Sequence, residues 1–193
     1  MALYLIRHGE TEWSRSGRHT GSTDIPLTEH GAQMARALAP ALAGLRFAAV
    51  LVSPRQRAQE TCRLAGLGDQ AQVEADLAEW DYGDYEGRRS SEIQAERPDW
   101  DIWRDGCPAG ESPMQVSVRA DRLVARLTAL QGDVVVFSHG HFGRVLTARW
   151  LQQSVTIGQH LILDPATLCV LDFDARHANV PVILRWNASV PVT

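Results

Sequence analysis

Apolar residues fall along this chain in two rhythms. Three short runs are nearly unbroken: Ala2-Leu3-Tyr4-Leu5-Ile6, Phe47-Ala48-Ala49-Val50-Leu51-Val52 and Asp133-Val134-Val135-Val136-Phe137. Runs of that length predict strands covered on both faces. Between them the apolar positions recur at helical spacing. Thr28 begins a helix carrying Met34, Leu38 and Leu42 on one face, which Pro40 is expected to kink or end early. A second helix follows Ser53-Pro54, with Pro54 in its first turn and Gly66 as its stop. The longest is expected over Pro113–Leu130. Ser112-Pro113-Met114-Gln115 forms its capping box, Val116, Ala120, Leu123, Leu127 and Leu130 its apolar stripe, and Gly132 its end. A helix that follows Ser138-His139-Gly140-His141 and runs through Trp150, and strands near Thr167–Phe173 and Val180–Trp186, complete the pattern. Strands alternating with helices predict an α/β fold, with helices on both sides of a largely parallel sheet.

Ligand sites in such sheets lie at the carboxyl ends of the strands. Arg7-His8-Gly9, Ser53-Pro54 and Ser138-His139 all fall there. An arginine beside a histidine at a strand end suits phosphoryl transfer, with the imidazole attacking phosphorus and the guanidinium holding its oxygens in bidentate fashion.

Composition narrows the partners. A length of 193 residues suits one domain, 1–193, with an ordinary apolar content of 45 % and 22 % charged residues. The net charge of −4 and the absence of a basic stripe exclude a nucleic-acid partner. The three cysteines, Cys62, Cys107 and Cys169, show no metal-ligand spacing and suit a reducing cytoplasm. No apolar stretch has the length of a membrane span, so no membrane partner is expected.

Four segments together resemble the histidine phosphatase superfamily, which includes cofactor-dependent phosphoglycerate mutases and many small phosphatases. They are Arg7-His8-Gly9-Glu10-Thr11, Ser53-Pro54-Arg55-Gln56-Arg57-Ala58-Gln59-Glu60-Thr61, Leu77-Ala78-Glu79-Trp80-Asp81-Tyr82-Gly83-Asp84-Tyr85-Glu86-Gly87 and Phe137-Ser138-His139-Gly140-His141. The resemblance implies a three-layer α/β/α sandwich with a mostly parallel mixed sheet, as in phosphoglycerate mutase. It implies His8 as nucleophile, Arg7, Arg57 and His139 as the phosphate cradle, and Glu79 as general acid and base. Such an acid must keep its proton beside a dianion, and by spacing alone Glu86 and Asp81 compete for the part. Gly140 lets a backbone amide approach an oxyanion. Arg55 and Arg63 suit solvated surface charges. His139 and His141 invite a metal, but Arg7 and Arg57 would repel one. Neither metal nor organic cofactor is therefore expected.

The chain departs from the family pattern at Ser14, where many members carry Asn, which shortens one phosphate contact. Thr20 and Gly21 stand where the family's loop meets substrate. With Trp103-Arg104-Asp105-Gly106-Cys107 they resemble the branch containing sedoheptulose 1,7-bisphosphatase. The segment 88–111 is placed to cover substrate, with Arg104 as a second anion contact and Arg88 or Arg89 as substitutes; its tryptophans could equally be core. The activity implied is metal-independent hydrolysis of a small phosphorylated metabolite, a sugar phosphate or bisphosphate. A phosphoglycerate mutase uses the same residues, and a non-catalytic phospho-ligand module would have lost His8 or Glu79. The oligomeric state is not legible.

Overall fold

The computed structural model describes residues 1–177 and 179–189. Its centre is a pair of parallel strands, β1 (Leu3–Arg7) and β4 (Val134–Ser138), in register from Leu3 opposite Val134 to Arg7 opposite Ser138. That register brings both strand ends, and the residues that follow them, to one rim. The remaining strands are β2 (Ala49–Val52), β3 (Ala71–Val73), β5 (Leu168–Phe173) and β6 (Pro181–Ala188), and the sheet order is β3-β2-β4-β1-β5-β6. The first four strands in that order run parallel; β5 is antiparallel to β1 and β6 to β5. The sheet is therefore mixed and mostly parallel, as expected.

The unbroken apolar runs are explained by two cores. Leu3 and Leu5 of β1 with Val134 and Val136 of β4 face one, while Ile6, Val135 and Phe137 face the other. Alternate residues point to opposite faces, so a strand covered on both sides must be apolar throughout. Helices α6 (Pro113–Thr128) and α7 (Gly140–Trp150) cover the first face through Val116, Ala120, Leu123, Phe142, Val145 and Leu146. Helices α2 (Glu29–Leu42) and α3 (Gln56–Leu64) cover the second through Leu38, Leu42, Ala58 and Cys62. Short helices α1 (Glu12–Ser16), α4 (Ser90–Glu96) and α5 (Ile102–Asp105) lie in the connections.

Helix boundaries differ from the sequence expectation at three points. Pro40 does not end α2 before Leu42. It sits in the last turn on the exposed side, and Ala43 N–H still bonds Ala39 O at 2.9 Å. Pro54 precedes α3, whose N-cap is Arg55; Gly66, with φ +84°, does follow its end. The Ser112 capping box forms as expected, but α6 stops at Thr128 and Leu130 is exposed. The short edge strand β3 carries too few apolar residues to be seen in the pattern.

Candidate active site

The position of His8, the expected nucleophile, follows from β1. His8 N–H bonds Ser138 O at 2.9 Å, so the ladder holds its backbone, and the side chain is buried. Its Nδ1 lies 2.7 Å from Gly9 O. A carbonyl only accepts, so Nδ1 carries the ring proton and Nε2 presents a lone pair. Burial, then Arg57 and Arg7, hold His8 well below its ordinary value of 6.5, so the ring is neutral at physiological pH. The turn after it is clamped twice. Gly9 N–H bonds Thr61 Oγ1 at 3.0 Å, and Gly9 and Gly31 approach so closely that a Cβ on either would strike the facing backbone.

Buried nitrogens that have no partner among the described residues surround this ring. Arg7 bonds Leu163 O through Nη1 at 2.5 Å, yet its Nε has no partner. Arg57 is fully buried at the start of α3. Its amino groups hold the carbonyls of Thr20, Gly21 and Thr23 at 2.8, 3.2 and 3.0 Å, leaving Nε free. His139 packs edge-on to His8 with ring centroids 5.2 Å apart. Its Nε2 lies 2.7 Å from Ser53 Oγ, and its buried Nδ1 has no partner. Ser53 Oγ accepts the Arg55 N–H at 3.3 Å, and its own buried hydroxyl proton has no other acceptor among the described residues; donated to His139 Nε2, it leaves the ring proton on Nδ1. Buried donors are normally satisfied. Three such nitrogens around one neutral imidazole describe a receptor for an oxyanion.

Glu79 is buried beside the N-terminus of α7. Its Oε1 accepts from Trp80 N–H at 2.9 Å and Phe142 N–H at 2.7 Å, and its Oε2 from His141 N–H at 3.1 Å. Oε2 is thus the less engaged oxygen, and Glu79 lines the same cavity as His8. Arg119 holds this carboxylate in place indirectly. It bonds the carbonyls of Asp76, Ala78 and Glu79 and pairs with Glu111 at 2.7 Å. The competing carboxylates have other work. Glu86 accepts the N–H groups of Gly21 and Thr23, and exposed Asp81 accepts that of Gly83.

A cavity of about 200 Å³ opens above His8, lined by Arg7, Glu79, Tyr82, Gly140, His141 and Arg144 among others. Liquid water occupies roughly 30 Å³ per molecule, so the space suits a small metabolite. Ser14 and Thr20 reach the cavity, but the Ser14 hydroxyl is used in the α1 cap and Thr20 Oγ1 bonds Arg18 O. Gly21 shapes the loop instead: both its N–H and its carbonyl are bonded to protein. Gly140 lies so close to Arg7 that a Cβ there would stand 3.3 Å from the guanidinium. The structure does not bring Arg104 to the cavity. It is exposed and pairs with Asp105 at 2.9 Å, because Ile102 and Trp103 of α5 bury inward and leave Arg104 on the outward face. Arg88 pairs with Glu96 and Arg89 bonds Ser16 O. Of segment 88–111, Ser90 lines the cavity, while Ile93, Trp100, Ile102 and Trp103 join the core.

Sequence reasoning missed several contributors. Thr61 and Ser53 act through backbone and imidazole contacts that no spacing predicts. Arg55, expected at the surface, has a buried Nε without a partner, whereas Arg63 does pair with Glu60 in solvent. The wall opposite the cradle is aromatic. His19 stacks on Tyr82 at 4.6 Å, and Tyr82 hydroxyl meets His141 Nδ1 at 2.7 Å. His139 and His141 therefore belong to separate networks.

Burial lowers the titration of four histidines, His8, His19, His139 and His141, that of His19 to about 4. In the unfolded chain each titrates near 6.5. The unfolded state then binds more protons as pH falls below 6.5, so stability must fall through that window and level off below the folded values. His19 alone should lose about 3 kcal/mol between pH 6.5 and 4. Thermal melts from pH 7.5 to 4.5 should show this fall, reduced in His19→Phe. A flat profile would contradict it.

The fold and the site define an α/β enzyme built to hold a phosphate group. The sequence profile of the histidine phosphatase superfamily (branch 1) matches residues 3–189. An acid phosphatase of Mycobacterium tuberculosis is 43 % identical over 176 residues, 89 % of this chain and 86 % of that protein. Sedoheptulose 1,7-bisphosphatase of Saccharomyces cerevisiae is 39 % identical over 179 residues, 76 % of this chain and 66 % of that enzyme. The solved structure of the Mycobacterium tuberculosis open reading frame Rv3214 superposes with a TM-score of 0.92 at 39 % identity, covering 98 % of both chains. The chain belongs to the histidine phosphatase superfamily, and it is a phosphatase of that family.

Proposed function

We propose that this chain is a single-domain, metal-independent phosphomonoesterase that works through a phosphohistidine on His8. Its substrate is a small phosphorylated metabolite, a sugar phosphate or bisphosphate. The observation that carries this reading is the neutral His8 ring, its Nδ1–H committed to Gly9 O, enclosed by the partnerless donors of Arg7, Arg57 and His139. The Nε2 lone pair forms the N–P bond as the P–O ester bond breaks. Arg7, Arg57 and His139 take up the charge on the equatorial oxygens. Glu79 gives its proton to the departing alkoxide. The resulting carboxylate then takes a proton from water, whose oxygen attacks phosphorus and breaks the N–P bond, so Glu79 ends protonated and His8 neutral.

The cradle needs no cation beyond its own side chains. Activity on p-nitrophenyl phosphate should therefore be unchanged by EDTA. Acid quenching after brief exposure to phosphate-labelled substrate should yield an acid-labile, base-stable phosphoprotein. A chelator-sensitive activity restored by a divalent ion, or no labelled protein, would overturn the mechanism. Passage of the label to a second phosphoglycerate instead of water would make the enzyme a mutase.

No helix among the described residues is long and apolar enough to cross a membrane. Cys62, Cys107 and Cys169 are unpaired and buried, with thiols pushed up to about 12, 12 and 11 by desolvation. Such thiols are unreactive, and unpaired cysteines support a reducing cytoplasm as the enzyme's location.

A further inference from the structure

Among the described residues, no side chain bonds the Glu79 carboxylate. It is held by N–H groups alone, those of Trp80 on its own segment and of His141 and Phe142 on α7. Its reach toward the leaving oxygen therefore depends on how the chain at 78–81 sits against the first turn of α7. One side chain touches both. Arg119, on α6, donates to the carbonyls of Asp76, Ala78 and Glu79 at 2.9, 2.7 and 3.1 Å, and its guanidinium carbon lies 4.2 Å from the centroid of the Phe142 ring. It spans the two sets of donors.

Glu111 closes the clasp from the other side. Its carboxylate takes Arg119 in bidentate fashion, Oε1 from Nε at 2.8 Å and Oε2 from Nη2 at 2.7 Å, and Oε2 also accepts the Asp81 N–H at 3.0 Å. Its backbone holds the same stretch: Glu111 N–H bonds Asp81 O at 2.9 Å, and Glu111 O accepts the Trp80 indole N–H at 2.9 Å. The fit is tight, since a Cβ on the preceding Gly110 would strike Asp81 O. Segment 88–111 thus ends on the residue that fixes the chain around Glu79. Two further arginines of α6, Arg122 and Arg126, pair with Asp76 at 2.6 and 2.9 Å, but their side chains are 53 % and 47 % exposed, against 13 % for Arg119 and 19 % for Glu111. Exposed pairs contribute little, so the clasp rests on Arg119 and Glu111. Neither lines the cavity above His8.

We propose that the Arg119–Glu111 pair is the positioning device for proton transfer, setting the Glu79 carboxylate against the leaving oxygen while touching no part of the substrate. This rests on the reading of Glu79 as general acid given above. A misplacement of about 1 Å can cost about 10²-fold in rate, and here the loss falls on the step that needs the proton.

The test compares fructose 6-phosphate, whose alkoxide needs that proton, with p-nitrophenyl phosphate, whose leaving group departs largely unaided. Arg119→Met keeps an apolar stem on Phe142 and removes the donors. It should lower kcat by about 10²-fold on the sugar phosphate and by about threefold or less on p-nitrophenyl phosphate, with KM for both within about twofold of wild type. Arg119→Lys should recover part of the loss, and Glu111→Gln, which keeps an acceptor for Asp81, should show a smaller loss of the same selectivity. These two variants carry the comparison if Arg119→Met fails to fold, and a ratio taken within one preparation is insensitive to any inactive fraction. Arg122→Gln, on the same helix, should leave the ratio at its wild-type value. Glu79→Gln measured alongside separates the two claims. If it shows the selective loss while the Arg119 variants lose both activities equally, or lose neither, the positioning role is overturned and the phosphatase reading stands. If Glu79→Gln shows no selective loss, the general-acid reading fails and the positioning role with it. A selective loss in Arg122→Gln as large as in Arg119→Met would also overturn the proposal, because docking of α6 as a whole would then account for it.

Discussion

His8→Ala should abolish turnover, by a factor on the order of 10⁵–10⁶, while leaving the protein folded. The expectation follows from where the ring sits. Among the described residues its Nε2 has no partner, and the only side-chain bond lost is Nδ1–H to the adjacent carbonyl of Gly9, within a backbone already fixed by Ser138 and Thr61. Removal also deletes one of the four depressed histidines, so the variant should lose less stability than the wild type between pH 6.5 and 5. Activity assays and melts at two pH values measure both. Appreciable hydrolysis by a folded His8→Ala protein would exclude the covalent route.

Glu79→Gln should lower kcat on alkyl phosphates by about 10²–10⁴-fold and on p-nitrophenyl phosphate by tenfold or less. An alkoxide leaves only with a proton, whereas p-nitrophenolate leaves largely unaided. The substitution also has a structural consequence. Both carboxylate oxygens accept N–H groups, those of Trp80 and Phe142 at Oε1 and that of His141 at Oε2. An amide nitrogen in either place meets a donor, which should destabilise the fold by roughly 1–3 kcal/mol. Melting curves separate that effect from chemistry, since a stability loss cannot depend on the leaving group. Equal losses on both substrates would remove Glu79 from the proton-transfer role.

The same carboxylate shows where sequence reasoning stops. Glu79, Glu86 and Asp81 lie within eight residues of one another, and spacing alone left all three open. The tertiary structure separates them by assigning different backbone donors: the start of α7 to Glu79, the loop at Gly21 and Thr23 to Glu86, and its own turn to Asp81. Arg104 and Arg144 make the complementary case. Both are arginines near the expected site in sequence, and burial of Ile102 and Trp103 turns one toward solvent and lays the other on an indole face above the cavity.

What the sequence determined by itself is what depends on local periodicity and on chemistry concentrated in short motifs. Unbroken apolar runs identified the doubly covered strands β1, β2 and β4, the Ser112 box placed the start of α6, and the polar residues at strand ends placed His8, Ser53 and His139 on one rim. The tertiary structure alone decided the antiparallel edge at β5 and β6, the tautomers of His8 and His139, the holding of Glu79, and which spare arginine enters the cavity. Each of these rests on contacts between residues tens of positions apart, such as Ser53 with His139 or Arg144 with Trp103. Their energies depend on burial and orientation, which a linear pattern of residue types does not encode.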